Sequence, residues 1–118
     1  MKSILVVEDS KSIQALIKAT LANAGYEVLT CDDGIQASTL LKKRDVDLII
    51  TDMHMPNMDG ARLVNLLHNR NLDTPILVAT SDNTDKTKDD FKGKGVKGWL
   101  TKPIESIRLL TAVDSLLN

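Results

Sequence analysis

The sequence predicts an α/β fold built on a parallel sheet, and two observations carry that prediction. Short apolar runs of strand type alternate along the chain with stretches of helical period, five pairs in all. Such alternation marks repeated βα units. In addition, Glu8, Asp9, Asp52 and Lys102 each stand at or just past the end of one of the apolar runs. Strands of an open parallel sheet share one direction, so their carboxyl ends meet at one edge, where such folds bind ligands.

The first strand is Ile4 to Val7. The helix after it places Ile13, Leu16, Ile17 and Leu21 on one stripe, and Gly25 supplies a C-terminal stop. The second strand is Glu27 to Thr30. The second helix runs from about Gly34 to Arg44 with Ile35, Ala37, Leu40 and Leu41 inward. The third strand, Val46 to Thr51, is the most apolar stretch and is expected at the centre of the sheet, covered on both faces. The third helix begins after Asp59-Gly60 and carries Leu63, Val64, Leu66 and Leu67. Thr74-Pro75 then leads into the fourth strand, Ile76 to Ala79. The fifth strand is Gly98 to Leu100, and the last helix, from about Ile104 to Leu117, shows Ile107, Leu110, Val113 and Leu117 at helical spacing.

One unit departs from this plan. Between the fourth and fifth strands, Asp82 to Lys97 holds only Phe91 and Val96 as large apolar residues, among five lysines, four aspartates, Gly93 and Gly95. A helix there buries little and bears the cost of glycine, about 1 kcal/mol per interior position. A short, solvated fourth helix is expected, with a mobile signalling face as the sharper reading.

Composition bounds the function. With 118 residues, 42% hydrophobic and 26% charged, the chain is expected to form one domain over residues 1–118. A net charge of −1 gives no electrostatic reason to expect nucleic acid or an anionic membrane as partner. No apolar run is long enough for a signal-peptide core or a membrane span, and the lone Cys31 cannot form an internal disulfide, so a cytoplasmic location is expected. Cys31 reads as a small buried hydrophobe.

Three carboxylates brought to one sheet edge repel unless a cation sits between them, and clustered acids suit a hard, oxygen-ligated metal such as Mg²⁺. Lys102 adds a second positive charge suited to an anion. Taken singly, each residue has a plainer role: Glu8, Asp9 and Ser10 as a loop and helix cap, Asp52 as a cap or turn, Lys102 as surface charge, Thr80 and Ser81 as strand-end hydroxyls, Trp99 as a packed aromatic. The constellation favours a site. His54 and His68 have no partner spaced for zinc.

The segments Val-Val-Glu-Asp-Ser (6–10), Thr-Asp-Met-His-Met-Pro-Asn-Met-Asp-Gly (51–60), Ala-Thr-Ser (79–81) and Trp-Leu-Thr-Lys-Pro (99–103) fall after successive strands. In order and spacing they resemble the receiver domains of two-component response regulators, the CheY-like group. The resemblance covers essentially the whole chain. It implies a three-layer, doubly wound, flavodoxin-like sheet of order 2-1-3-4-5. It implies Asp52 as phosphoacceptor, and Mg²⁺ held by Glu8, Asp9, Asp52 and the backbone carbonyl of His54. Lys102 and Thr80 would contact phosphoryl oxygens, and Thr80 with Trp99 would transmit the state, Trp99 standing where a Tyr or Phe is usual. It also implies a cis Lys102-Pro103 peptide. The expected partners are a histidine kinase or histidine phosphotransfer protein and a downstream target docking on the fourth helix, fifth strand and fifth helix. The protein is expected to be a monomeric switch, with chemotaxis-type control as one output, and not a turnover enzyme.

Rival readings are a receiver cut from a longer hybrid kinase or regulator, and a Mg²⁺-dependent aspartyl-phosphate phosphohydrolase. The latter lacks room for a cap domain and has His54 where a second acid is needed. A flavodoxin would need a Ser/Thr/Gly-rich loop where Glu8-Asp9 repel phosphate, and a binding-only pseudo-receiver would not retain every site residue. Finally, the resemblance implies that His54 and Asp82, two residues beyond Asp52 and Thr80, flank the path of the hydrolysing water, where an imidazole and a carboxylate would form a charge-assisted pair that screens the site; two exposed side chains that never meet are at least an equal expectation.

Overall fold

The structure, a computed structural model, describes residues 1–55, 57–81, 85–91 and 93–118, with the backbone alone for 85–87. The elements are β1 (Ser3–Val7), α1 (Lys11–Asn23), β2 (Glu27–Cys31), α2 (Gly34–Leu41), β3 (Leu48–Asp52), α3 (Gly60–Asn69), β4 (Ile76–Thr80), α4 (Asp85–Asp90), β5 (Val96–Thr101) and α5 (Ser106–Leu117). All strand pairs are parallel and the order is β2-β1-β3-β4-β5, with β3 at the centre as the apolar run predicts. The third strand starts at Leu48 because Asp47 turns its carboxylate back to accept from Ser3 N at 2.8 Å.

Alternation along the strands divides the core in two. Leu5, Val7, Ile49, Ile76 and Val78 face Ala37 of α2 and Leu63, Val64 and Leu67 of α3. Ile4, Val6, Leu48, Ile50, Leu77 and Leu100 face Ile17 and Leu21 of α1 and Leu109, Val113 and Leu117 of α5. The result is three layers with the sheet buried on both sides, each buried Leu, Ile or Val contributing about 1.5–3 kcal/mol.

The helical stripes differ from the predicted ones in detail. In α1 the buried positions are Gln14, Ile17 and Leu21, while Ile13 and Leu16 are exposed, Leu16 at 58%. In α2 Ile35 is exposed, and the buried residues are Gly34, Ala37 and Ser38. In α5 the stripe is Leu109, Val113 and Leu117, and Ile107 is 73% exposed. Two residues turn a helix through about 200°, so Ile107 cannot share a face with Leu109. Apolar residues at helical spacing outnumbered the positions that one sheet face can cover.

The fourth helix is short, as its composition predicts, with six residues. Phe91 just after it is buried and meets Trp99 of β5 with ring centroids 5.9 Å apart. The fifth strand begins at Val96, two residues earlier than expected. It takes up Lys97 as an extra residue, since Ile76 pairs with Val96 and Leu77 with Gly98.

Candidate functional site

The carboxyl ends of β1 and β3 lie side by side, Val7 opposite Thr51. Glu8 and Asp9 therefore follow β1 beside Asp52, the last residue of β3. Glu8 is 3% exposed. Its backbone N–H donates to Cys31 O at 3.0 Å, and its Oε2 accepts from Ser10 N at 3.0 Å. Burial holds the Glu8 carboxyl above its ordinary range; the Asp9 and Asp52 carboxyls add to this, while the Ser10 N–H and the Lys102 ammonium oppose it. The helix cap belongs to Ser10, whose hydroxyl faces Ile13 N, so Asp9 is not the cap of α1 and remains exposed.

Asp52 is 6% exposed. Its Oδ2 lies 2.7 Å from Lys102 Nζ, and Oδ1 accepts from His54 N at 3.3 Å. Lys102 reaches it from the turn after β5, where its own N–H donates to Thr80 O at 3.0 Å and the Lys102-Pro103 peptide is cis. The same ammonium lies 3.8 Å from Glu8 Oε1. Gly60 N donates to Met53 O at 2.9 Å, and a Cβ on Gly60 would stand 2.2 Å from Asp52 O, so only glycine lets α3 start this close to the acid.

Among the described residues, Glu8, Asp9 and Asp52 each offer one carboxylate oxygen to a group whose three atoms lie within 4.8 Å of one another. This donor set is all carboxylate, and the chemistry of hard oxygen ligands fits a cation such as Mg²⁺. Thr80 ends β4, buried, one residue beyond the partner of Asp52, and pairs in register with Thr101. Trp99 lies on β5 opposite Val78, half-buried against Phe91. His54 is exposed, and Asp82 lies outside the described residues, as does any pairing between them.

The sequence reading did not single out Gln14, whose buried amide donates to Glu8 O at 2.9 Å and to Cys31 O and Asp32 Oδ1, each at 3.1 Å. Its signal was available: a polar residue three before Ile17 and seven before Leu21, on the stripe itself. Asp33 and Asn57 were missed as well. They hold each other at 2.8 Å, Asn57 Nδ2 donating to Asp33 Oδ2, from segments 24 residues apart. No local pattern announces that pairing.

Over residues 4–114 the chain matches the response regulator receiver domain. It is 33% identical over 101 residues to the sensor histidine kinase RcsC of Escherichia coli strain K12, covering 86% of this chain and 11% of that protein. To the signal transduction histidine-protein kinase BarA of the same strain it is 35% identical over 109 residues, covering 91% and 12%. The chain thus spans little more than a tenth of the length of either kinase. Among solved structures, the chemotaxis protein CheY4 of Vibrio cholerae superposes with a TM-score of 0.93 at 37% identity over 99% of both chains. The receiver domain of Francisella response regulator 1452 gives 0.93 at 28% identity, over 99% of this chain and 97% of that one.

Proposed function

The chain belongs to the response regulator receiver family, and we propose that it works as a phosphorelay switch that takes a phosphoryl group from a phosphohistidine onto Asp52. The observation that carries this reading is the 2.7 Å pair of Lys102 Nζ with Asp52 Oδ2, set beside Glu8 and Asp9. A carboxylate is a weak nucleophile toward phosphorus, so the task of the site is alignment and charge neutralisation. Glu8, Asp9, Asp52 and the backbone carbonyl of His54 are the groups that would hold Mg²⁺, which supplies neutralising charge to the phosphoryl oxygens. An Asp52 oxygen forms the new P–O bond as the donor's P–N bond breaks, and the imidazole leaves with the electron pair. Lys102 then exchanges part of its contact with Asp52 for a phosphoryl oxygen. The Thr80 hydroxyl takes another, and Trp99 follows Thr80 to alter the face made by α4, β5 and α5. The product is a phosphoprotein, so the chain acts as a switch and not by turnover.

The donor must approach the open edge beside Lys102. There a groove of about 430 Å³ between α1 and α5 is lined by Ile13, Leu16, Lys102, Pro103 and Ile104. Its apolar wall runs directly to the lysine, which suits a kinase or phosphotransfer protein whose phosphohistidine is flanked by apolar side chains. Leu16→Asp is expected to slow transfer from a phosphohistidine protein about tenfold or more, as loss of a buried apolar anchor costs, with labelling by a small acyl phosphate unchanged. Equal slowing of both reactions would place Leu16 in the chemistry and remove it from docking. The kinase relatives favour a second reading of context, in which this receiver is one segment of a longer kinase and exchanges its phosphoryl group with a histidine elsewhere in that protein.

The deciding experiment is incubation with a small acyl phosphate and Mg²⁺, followed by intact mass. One phosphoryl group is expected, and Asp52→Asn or a chelator should abolish it. Labelling of Asp52→Asn at the parent rate overturns the assignment.

A further inference from the structure

The segment 31–34, where β2 passes into α2, contributes no carboxylate to the acid group, yet the Glu8-Asp9 turn and the loop after Asp52 are both fastened to it. On one side, Glu8 N donates to Cys31 O at 3.0 Å. Gln14, 8% exposed, spans the same junction with donations to Glu8 O, Cys31 O and Asp32 Oδ1. An amide has two hydrogens for these three acceptors, so one is shared and the side chain cannot rotate without losing partners.

On the other side, Asp33 divides its two oxygens. Oδ1 caps α2 by accepting from Gln36 N at 2.9 Å, and Oδ2 accepts from Asn57 Nδ2 at 2.8 Å. Gly34 N donates to Met58 O at 3.2 Å, and a Cβ on Gly34 would meet that oxygen at 2.7 Å, so turn and loop are in close contact. Asn57 has φ 66°, which places a left-handed residue at the clasp itself.

We propose that this turn is a clamp: it fixes the spacing between the Glu8-Asp9 turn and the loop after Asp52, and Gln14, Asp33 and Asn57 are positioning residues for a divalent cation they never touch. The inference rests on the reading that Glu8, Asp9 and Asp52 hold such a cation. The physical need is plain, because three carboxylates within 4.8 Å repel and will spread unless the backbone beneath them is tied. Hydrogen bonds around metal ligands typically govern affinity by about 10- to 100-fold. Gln14 and Asn57 are neutral, so they hold the acids without competing with the cation for them.

The test is Mn²⁺ binding to the full chain, read as free ion by electron paramagnetic resonance, with a melting curve in chelator for each variant. Gln14→Met keeps length and removes the donor. Asn57→Gly keeps the left-handed backbone and removes the amide. Val113→Ala opens a cavity beneath α5, a helix that supplies none of the clamp's hydrogen bonds, and controls for lost stability. Each clamp variant is expected to bind Mn²⁺ about tenfold more weakly, and Val113→Ala to bind as the parent does. If either clamp variant binds as tightly as the parent, or if Val113→Ala weakens binding as much, the clamp does not exist. A parent that binds no Mn²⁺ overturns the cation reading and this inference with it, whereas tight binding by parent and variants alike defeats the inference alone.

Discussion

Lys102 serves two acids at once, at 2.7 Å from Asp52 Oδ2 and 3.8 Å from Glu8 Oε1. On the proposed reading, the charge that would draw in a phosphoryl group would also oppose a cation held by the same acids. Lys102→Met is therefore expected to slow acyl-phosphate labelling of Asp52 by roughly 100-fold, the scale of losing one preorganised electrostatic contact, while tightening Mn²⁺ binding. Mass spectrometry follows the first quantity and paramagnetic resonance the second. Slower labelling together with weaker Mn²⁺ binding would instead make Lys102 a prop for the acids. Gly60 carries the other constraint at this scale. With a Cβ 2.2 Å from Asp52 O, Gly60→Ala must push α3 off the end of β3. A cost of about 1–3 kcal/mol is expected, the range for forced overpacking, together with slower labelling. Denaturant unfolding at the parent's stability would show that the loop yields freely.

At the scale of elements, each helix is attached to the sheet by a narrow stripe, and what lies off the stripe is left for other uses. Ile13 and Leu16 of α1 line the groove beside Lys102, and Ile107 of α5 stands exposed near Trp99. The short fourth helix is tied on through Phe91, whose ring meets Trp99. If β5 reports the state of Asp52, Trp99 emission should change when fluoroberyllate is added with Mg²⁺, and Asp52→Asn should not respond. An unchanged parent spectrum would leave Trp99 as packing for Phe91 and nothing more.

At the scale of the molecule, the site opposes the fold that builds it. The Glu8 carboxyl is raised above its ordinary value of 4.5 by burial first, so the folded state holds that proton after the unfolded chain has released it. Stability must then fall as pH rises from 4.5 through the raised folded value, because the native state binds the more protons in that window. In chelator, Glu8→Gln is expected to flatten this decline, and its advantage over the parent should grow with pH. Mg²⁺ should raise the parent's melting temperature at neutral pH and raise that of Glu8→Gln less. Parallel pH profiles for the two proteins would rule Glu8 out as the source of the decline.

The sequence by itself determined the α/β class, the five strands and their central member, because apolar runs and helical periods are local properties that survive in any environment. It also determined which acids and which lysine reach the carboxyl edge of the sheet, since in a parallel sheet a strand-end position is set by chain direction alone. What only the tertiary structure decided is which apolar helical residues are covered. Ile13, Leu16, Ile35 and Ile107 have the same chemistry as buried neighbours and differ only in angle around the helix. It also decided the ties beneath the acids, where Gln14 joins two strand ends and Asp33 meets Asn57 across 24 residues. Such bonds depend on distances between elements, and a polar residue's neighbours in space carry no mark in the letters beside it.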